Sequence, residues 1–362
     1  MTPLMREALK QELDAQPPKP DHTHAGLWLQ RGWPAFVTGD SENNKTGHIN
    51  RLCAIQPSAL YKKVFTRWEE TAKTLPGAAL FATVSQRLLI GSNAASALET
   101  GAAIQHSYGM PMIPGSAVKG CARAYAQQLG LGAEYLAMLF GLDEGELAGP
   151  GGLVWHDAWW RPGGQEKYPF VADVVTVHHP EYYQGKEVMA SDTDTPVPNA
   201  QLATHGEFFF YIGCEHSDSQ PWAELAIQLL KATLHGTGIG GKRAAGYGRM
   251  AAKQQDSDIF NQQAQIIRDQ AAQPPLPANQ QTIQDFVAKF VKAPNANNTG
   301  TDLFVELCSL LHQAGTNPDW SQADREQLAK HFPLSTIKQK FNGLGKNQER
   351  IKQLLKQLNP LP

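Results

Sequence analysis

Apolar positions change period several times along the chain, and the changes predict its elements. Residues 80–90 (LFATVSQRLLI) are rich in β-formers and predict a strand. Pro114-Gly115-Ser116 starts a helix that runs to residue 129, with Val118, Cys121, Ala122, Tyr125 and Leu129 as its apolar stripe. Residues 153–158 (LVWHDA) and 207–213 (EFFFYIG) predict two further strands. Residues 222–234 place Trp222, Leu225, Ala226, Leu229 and Leu230 on one helical face. Residues 246–252 (GYGRMAA) close the series as a last strand. The order strand, helix, strand, strand, helix, strand is the split βαβ arrangement of an α+β, ferredoxin-like (RRM-like) domain. It predicts an antiparallel sheet with both helices on one face and the other face free.

Outside this core the pattern is helical. Residues 5–13 and 59–72 predict helices, and the second ends at Pro76-Gly77. Residues 254–280 are rich in Gln and Pro and read as a helix tail plus linker. Beyond them, Ile283/Phe286/Val287/Phe290, Leu303/Leu307/Leu310/Leu311 and Ile351/Leu354/Leu355/Leu358 form three stripes at helical spacing, with no strand signal. The expected organisation is an N-terminal extension over 1–74, an αβ domain over 75–253, a linker over 254–280 and an all-helical domain over 281–362.

Composition then narrows the function classes. Hydrophobic residues make up 41%, enough for a real core. Lys plus Arg number 32 against 34 Asp plus Glu, a net charge of −2, so bulk charge does not hold nucleic acid and a basic site has to be local. Cys53, Cys121, Cys214 and Cys308 form no CxxC pair, which excludes a zinc knuckle and fits a reducing cytoplasm. No apolar run approaches the roughly 20 residues of a membrane span, and no membrane partner is expected. Nor does the sequence call for a metal or cofactor.

Chemistry concentrates in a glycine-rich stretch, GTGIGGKRAAGYGR from Gly236. It matches GxGxxG and nearly matches a P-loop, but both need a preceding strand and a following helix, and here the order is reversed. Arg243 also stands where a P-loop has its magnesium-holding Ser or Thr. What remains is Gly238, Gly240 and Gly241 beside Lys242, Arg243 and Arg249, with no acid between 236 and 253. Glycine lets a nucleic-acid backbone approach, the cations neutralise phosphates, and Tyr247 suits base stacking. A flexible connection whose cations face water is the other reading. On the helix from Pro114, Ser116 suits an anion-binding N-cap, and Lys119 and Arg123 share a face; a capped helix with solvated cations fits equally. Residues 176–200 form a long insertion with a net charge of −3, a poor phosphate binder, in which His178, Tyr182 or Tyr183 suit base contact. His106, His156, His178 and His179 lack neighbours at metal-ligand spacing; surface histidines and a general acid/base both remain open.

The segments ALETGAAIQHSYGMPMIPGSAVKGCAR (97–123), DVVTVHHPEYY (173–183), TPVP (195–198) and the glycine stretch together resemble the RAMP superfamily of CRISPR proteins, and within it the sixth-subunit family of type III-B (Cmr) effector complexes. The resemblance covers residues 75–253. It implies a RAMP fold, binding of guide RNA near its 3′ end beside target RNA, and contact with other RAMP subunits, especially the repeated backbone subunit. It implies no nuclease activity of the chain's own. Carried over by position, Ser116, Lys119 and Arg123 face guide RNA or the neighbouring subunit, and Gly238, Gly240, Gly241, Lys242 and Arg243 line the guide. The 176–200 insertion becomes a thumb beside the guide–target duplex. Ala117 departs from the second Ser frequent in the family. Two other functions stay open: a RAMP endoribonuclease that processes precursor guide RNA with a His as acid or base, and a protein–protein scaffold.

Overall fold

The segment EFFFYIGC is buried at every one of its eight positions, and the αβ unit is built around it. The computed structural model describes residues 2–3, 5–15, 19–33, 35–36, 41–92, 100–145, 148–194, 196–272, 276–296, 299–342 and 344–358. The chain divides into two compact units, residues 1–272 and 273–362.

In the first unit the main elements are α1 (Glu7–Ala15), α2 (Ala25–Arg31), α3 (Ser41–Cys53), α4 (Ala59–Thr74), β1 (Gly77–Val84), β2 (Met112–Ile113), α5 (Gly115–Gln128), α6 (Ala133–Phe140), β3 (Leu153–Trp155), β4 (Ala158–Trp160), β5 (Phe170–Val177), β6 (Val197–Thr204), β7 (Glu207–Cys214), α7 (Gln220–Gly236), β8 (Met250–Ala252) and α8 (Gln254–Ala272). The main sheet runs β8-β1-β7-β4-β2, with β3 also on β7, and all its pairings are antiparallel. The strand expected over 153–158 is therefore two short strands broken at His156-Asp157. The strand expected over 80–90 ends at Val84, and the one over 246–252 shrinks to three residues.

Both faces of the sheet are covered, which corrects the expected free face. Phe209 and Tyr211 meet Trp68 of α4, and Phe209 and Phe81 meet Phe260 of α8, with ring centroids 4.9–6.4 Å apart across this cluster. Alternation turns Phe208, Phe210 and Ile212 to the opposite side, where α5 and α7 pack. A strand that is apolar without alternation is a strand buried on both faces.

The linker expected over 254–280 is, for its first part, the 19-residue helix α8. It closes a gap left by β8, which pairs only with residues 82–84 of β1. Along the rest of that edge Ser257 Oγ accepts from the Phe81 amide at 2.9 Å, and Asn261 bonds both the amide and the carbonyl of Ala79 at 3.0 Å. Arg268 donates to the carbonyls of Leu75 and Gly77. Side chains thus supply the pairing a neighbouring strand would otherwise give. Arg161, at the end of β4, bonds Glu207 of β7 and Asp256 of α8 and lies 4.4 Å from the Phe81 ring centroid.

The insertion expected as a loop is framed by a second, two-stranded sheet. β5 and β6 pair over eight residues, from Phe170 opposite Thr204 to Val177 opposite Val197.

The second unit holds α9 (Ala278–Lys292), α10 (Asp302–Thr316), α11 (Gln322–His331), α12 (Leu334–Lys340) and α13 (Gln348–Leu358) around Phe286, Phe290, Phe304, Phe332 and Phe341. No helix among the described residues is long and apolar enough to cross a membrane.

Candidate nucleic-acid interface

The glycine stretch is held by backbone packed on backbone. The Gly248 amide donates to the Arg87 carbonyl at 2.8 Å, the Gly241 amide to the Leu89 carbonyl at 2.7 Å and the Ile239 amide to the Gly248 carbonyl at 3.0 Å. A Cβ at Gly248 would stand 1.7 Å from the Ile239 carbonyl oxygen, and one at Gly240 2.4 Å from the Leu89 oxygen. These glycines are needed inside the protein, and Gly238 and Gly248 are buried. The expectation that this stretch offers bare glycine backbone is corrected accordingly for Gly238; Gly236 is exposed, and Gly240, Gly241 and Gly246 are part-exposed.

The lattice projects the residues between its glycines. Lys242 adopts the left-handed conformation, φ 54° and ψ 32°, and starts a 3₁₀ turn over Arg243–Ala245 that ends at Gly246, φ 90°. A non-glycine residue there costs on the order of 1–2 kcal/mol, a strain that clusters at functional positions. Lys242, Arg243 and Arg249 are all exposed.

Tyr247 is half-buried, and its hydroxyl donates to Asp173 Oδ2 at 2.8 Å. That bond, with burial, pushes the phenol pKa up against the opposing charge of Arg87. The expected base-stacking residue thus braces the glycine loop against β5. Between them lies a polar hollow of about 700 Å³, lined by Thr83, Arg87, Glu166, Asp173, His205 and Tyr247. Arg87 was hidden in the sequence by its place in a run taken as strand; that strand ends three residues earlier.

The α5 start departs from expectation. Ser116 is not the N-cap: the helix begins at Gly115, Pro114 is the capping residue, and no side chain of the cap bonds the helix. Instead Asp157 Oδ1 accepts from the Gly115 amide at 2.7 Å. A Cβ at Gly115 would stand 2.1 Å from the Trp155 carbonyl oxygen. The anion position expected at this helix start is therefore filled by the protein's own carboxylate.

Ser116, Lys119 and Arg123 do occupy one flank of α5. Cys121 lies on the other, since two residues turn a helix by about 200°. Burial pushes the Cys121 thiol up to about 11, opposed by the nearby charge of Arg243. Of the predicted cations, Arg243 lies near the Cys121 side of α5, while Lys119 and Arg123 stand on its other flank.

His178 is exposed near the end of the β5–β6 hairpin, whereas the Tyr247 brace reaches Asp173. Five residues of strand, about 16 Å, separate the two positions, so His178 does not join the loop. His179 Nδ1 contacts Asp194 at 2.9 Å and holds that carboxyl below its usual range. His156 packs 5.2 Å from Trp68 and 5.6 Å from Tyr211, ring centroid to centroid, and burial lowers its pKa. The Nε2 atom of His24 meets the His106 carbonyl at 2.8 Å. No group of three potential metal ligands occurs among the described residues.

Residues 81–251, from β1 through the glycine loop to β8, match the RAMP superfamily. This segment is a RAMP domain. Comparison with curated proteins finds no match. Solved structures similar to the chain include one from a type III-B Cmr-beta complex bound to cognate target RNA, 21% identical, covering 60% of this chain and 75% of that one with a TM-score of 0.48. Cmr6 from Pyrococcus furiosus is 21% identical over 49% of this chain and 98% of its own, TM-score 0.32. A chain of a CRISPR RNA-guided surveillance complex is 16% identical over 48% and 66%, TM-score 0.32. The RAMP domain contains both cationic patches and the hairpin between them in sequence.

Proposed function

We propose that the chain is a non-catalytic guide-RNA-binding subunit of a type III-B CRISPR effector complex, acting in the cytoplasm near the 3′ end of the guide and touching target RNA and the repeated backbone RAMP subunit. The observation that carries this reading is the rigid glycine lattice of a RAMP domain, which thrusts Lys242 and Arg243 into solvent. Phosphates accept from such cations without any reading of base sequence. The sheet order β8-β1-β7-β3/β4 with α5 and α7 on one face is read as a ferredoxin-like core, with α4 and α8 added on the other. Lys119 and Arg123 form the contact to the neighbouring subunit or to a second stretch of guide. The β5–β6 hairpin is the thumb, and His178 at its end meets a base rather than a phosphate.

The test is a salt titration of guide-RNA binding by the Lys242→Ala/Arg243→Ala variant. Two lost phosphate contacts lower the slope of log affinity against log salt by roughly 1.5–2. An unchanged slope sinks the reading. Incubation of the wild type with repeat RNA in the absence of divalent metal separates it from a processing endoribonuclease. Site-specific cleavage that disappears in His106→Ala or His178→Ala replaces the proposal with the enzyme.

A further inference from the structure

The helical unit is electrically lopsided. Residues 334–358 carry Lys338, Lys340, Lys346, Arg350, Lys352 and Lys356 against Glu349 alone, a net charge of +5. Residues 273–333 have four cations and six carboxylates, a net charge of −2. Two of the six C-terminal cations are used internally. Lys340 is buried, donates to the Ala293 carbonyl and lies 5.2 Å from the Phe290 ring centroid. Lys352 pairs with Glu349 at 2.7 Å. Lys338, Lys346, Arg350 and Lys356 are exposed, and none is ion-paired among the described residues.

The chain between α12 and α13, which carries Lys346, is anchored to the helical core. Phe341 and Leu344 are buried in the helical core, at 0% and 3% exposure. Between and beyond them Asn342 and Gly345 take positive φ, 40° and 49°. The Asn347 side-chain Nδ2 donates to Thr299 Oγ1 at 2.8 Å. A turn pinned from inside by Leu344 sets Lys346 at the surface just before α13, on which Arg350 and Lys356 are exposed. Exposed Gln339, Gln353 and Gln357 stand among the cations and add donors for phosphate and ribose oxygens.

The chemistry also discriminates between partners. A protein-docking surface has an apolar centre. The large exposed apolar residues of this unit, Leu276, Val291 and Val305, all lie outside 334–358. A polar, positively charged surface without an apolar centre fits nucleic acid.

We propose that residues 338–356, from α12 through the following turn into α13, are a second, sequence-independent nucleic-acid contact, in which Lys338, Lys346, Arg350 and Lys356 hold the phosphates of a passing RNA strand. This contact is separate from the glycine loop and stands without it.

The experiment uses the full chain with Lys338, Lys346, Arg350 and Lys356 replaced by Gln, titrated with an unstructured single-stranded RNA at several salt concentrations. The Lys242→Ala/Arg243→Ala variant is measured alongside. The log–log salt slope falls by about 2–3, and affinity at physiological salt falls at least roughly tenfold. Far-UV circular dichroism and the thermal midpoint stay at wild-type values, because all four side chains are exposed. The smaller pair Lys346→Gln/Arg350→Gln moves the slope by about half as much. A slope equal to that of the wild type overturns the proposal. So does unchanged RNA binding together with lost assembly into a larger complex, which reassigns the surface to a protein. If only the loop variant changes the slope, this inference fails while the proposed function stands. If only the glutamine variant does, the reverse holds.

Discussion

Gly248 shows how much one missing side chain carries. Its φ is 71°, and any Cβ would collide with the Ile239 carbonyl. Gly248→Ala therefore destabilises the protein by roughly 3 kcal/mol or more, seen in urea unfolding, because neither backbone can yield without breaking the bonds to residues 87–89. His48 supplies the pH response. It is buried at 3% exposure against Trp28, ring centroids 5.8 Å apart, and burial, aided by the charge of Arg51, lowers its pKa to about 4. The unfolded chain protonates this ring near pH 6.5, so between pH 6.5 and 4 it binds more protons than the folded protein. Stability present above pH 6.5 is lost as the pH falls through that window, by roughly 3 kcal/mol at its lower end. His48→Phe flattens this part of the pH–stability curve, measured by thermal melts. The sequence shows a histidine at 48, but nothing local announces a tryptophan stacked on it from twenty residues earlier.

Elements were legible where the chain determines them locally. Helix 59–74 starts at Ser58, whose hydroxyl accepts from the Tyr61 amide at 3.1 Å, and its sequence pattern foretells it to within two residues. Strand 207–214 needs no neighbour to be recognised, and its unbroken apolar run also held the clue to the covered second face. The N-cap expected at Ser116 failed for a non-local reason, since a carboxylate 42 positions along the chain from Gly115 takes that amide. The β5–β6 hairpin escaped notice because β6 reads VPNAQLAT, a polar strand containing a proline, and its partner lies some twenty residues away. Helix α8 looked like a linker because its Gln, Asn and Ser residues resemble solvent-facing polarity; two of them bond a strand edge. Asn261→Leu leaves the Ala79 amide and carbonyl without partners. It costs about 2 kcal/mol in thermal unfolding and raises self-association in light scattering, as an unpaired edge becomes available.

At the scale of the molecule, two compact units with separate apolar cores imply two cooperative transitions. Phe332 is buried at 1% exposure and its ring centroid lies 5.0 Å from that of Phe290 and 5.5 Å from that of Phe286. Phe332→Ala costs the helical unit about 3–5 kcal/mol. Calorimetry then shows one transition moving down and the other unmoved. Charge is uneven at a finer grain: in a chain with a net charge of −2, residues 236–253 hold no acid and residues 334–358 hold one. No global composition measure registers them.

The glycine lattice has a consequence for how such a protein diversifies. Its shape rests on carbonyls and amides of residues 87, 89, 239, 241 and 248 and on the missing side chains of Gly240 and Gly248, and not on any side chain at 242–245. Mutation at 242–245 alters the chemistry on display while the frame beneath keeps its form. A descendant can exchange lysine for glutamate there and acquire a different clientele without having to refold.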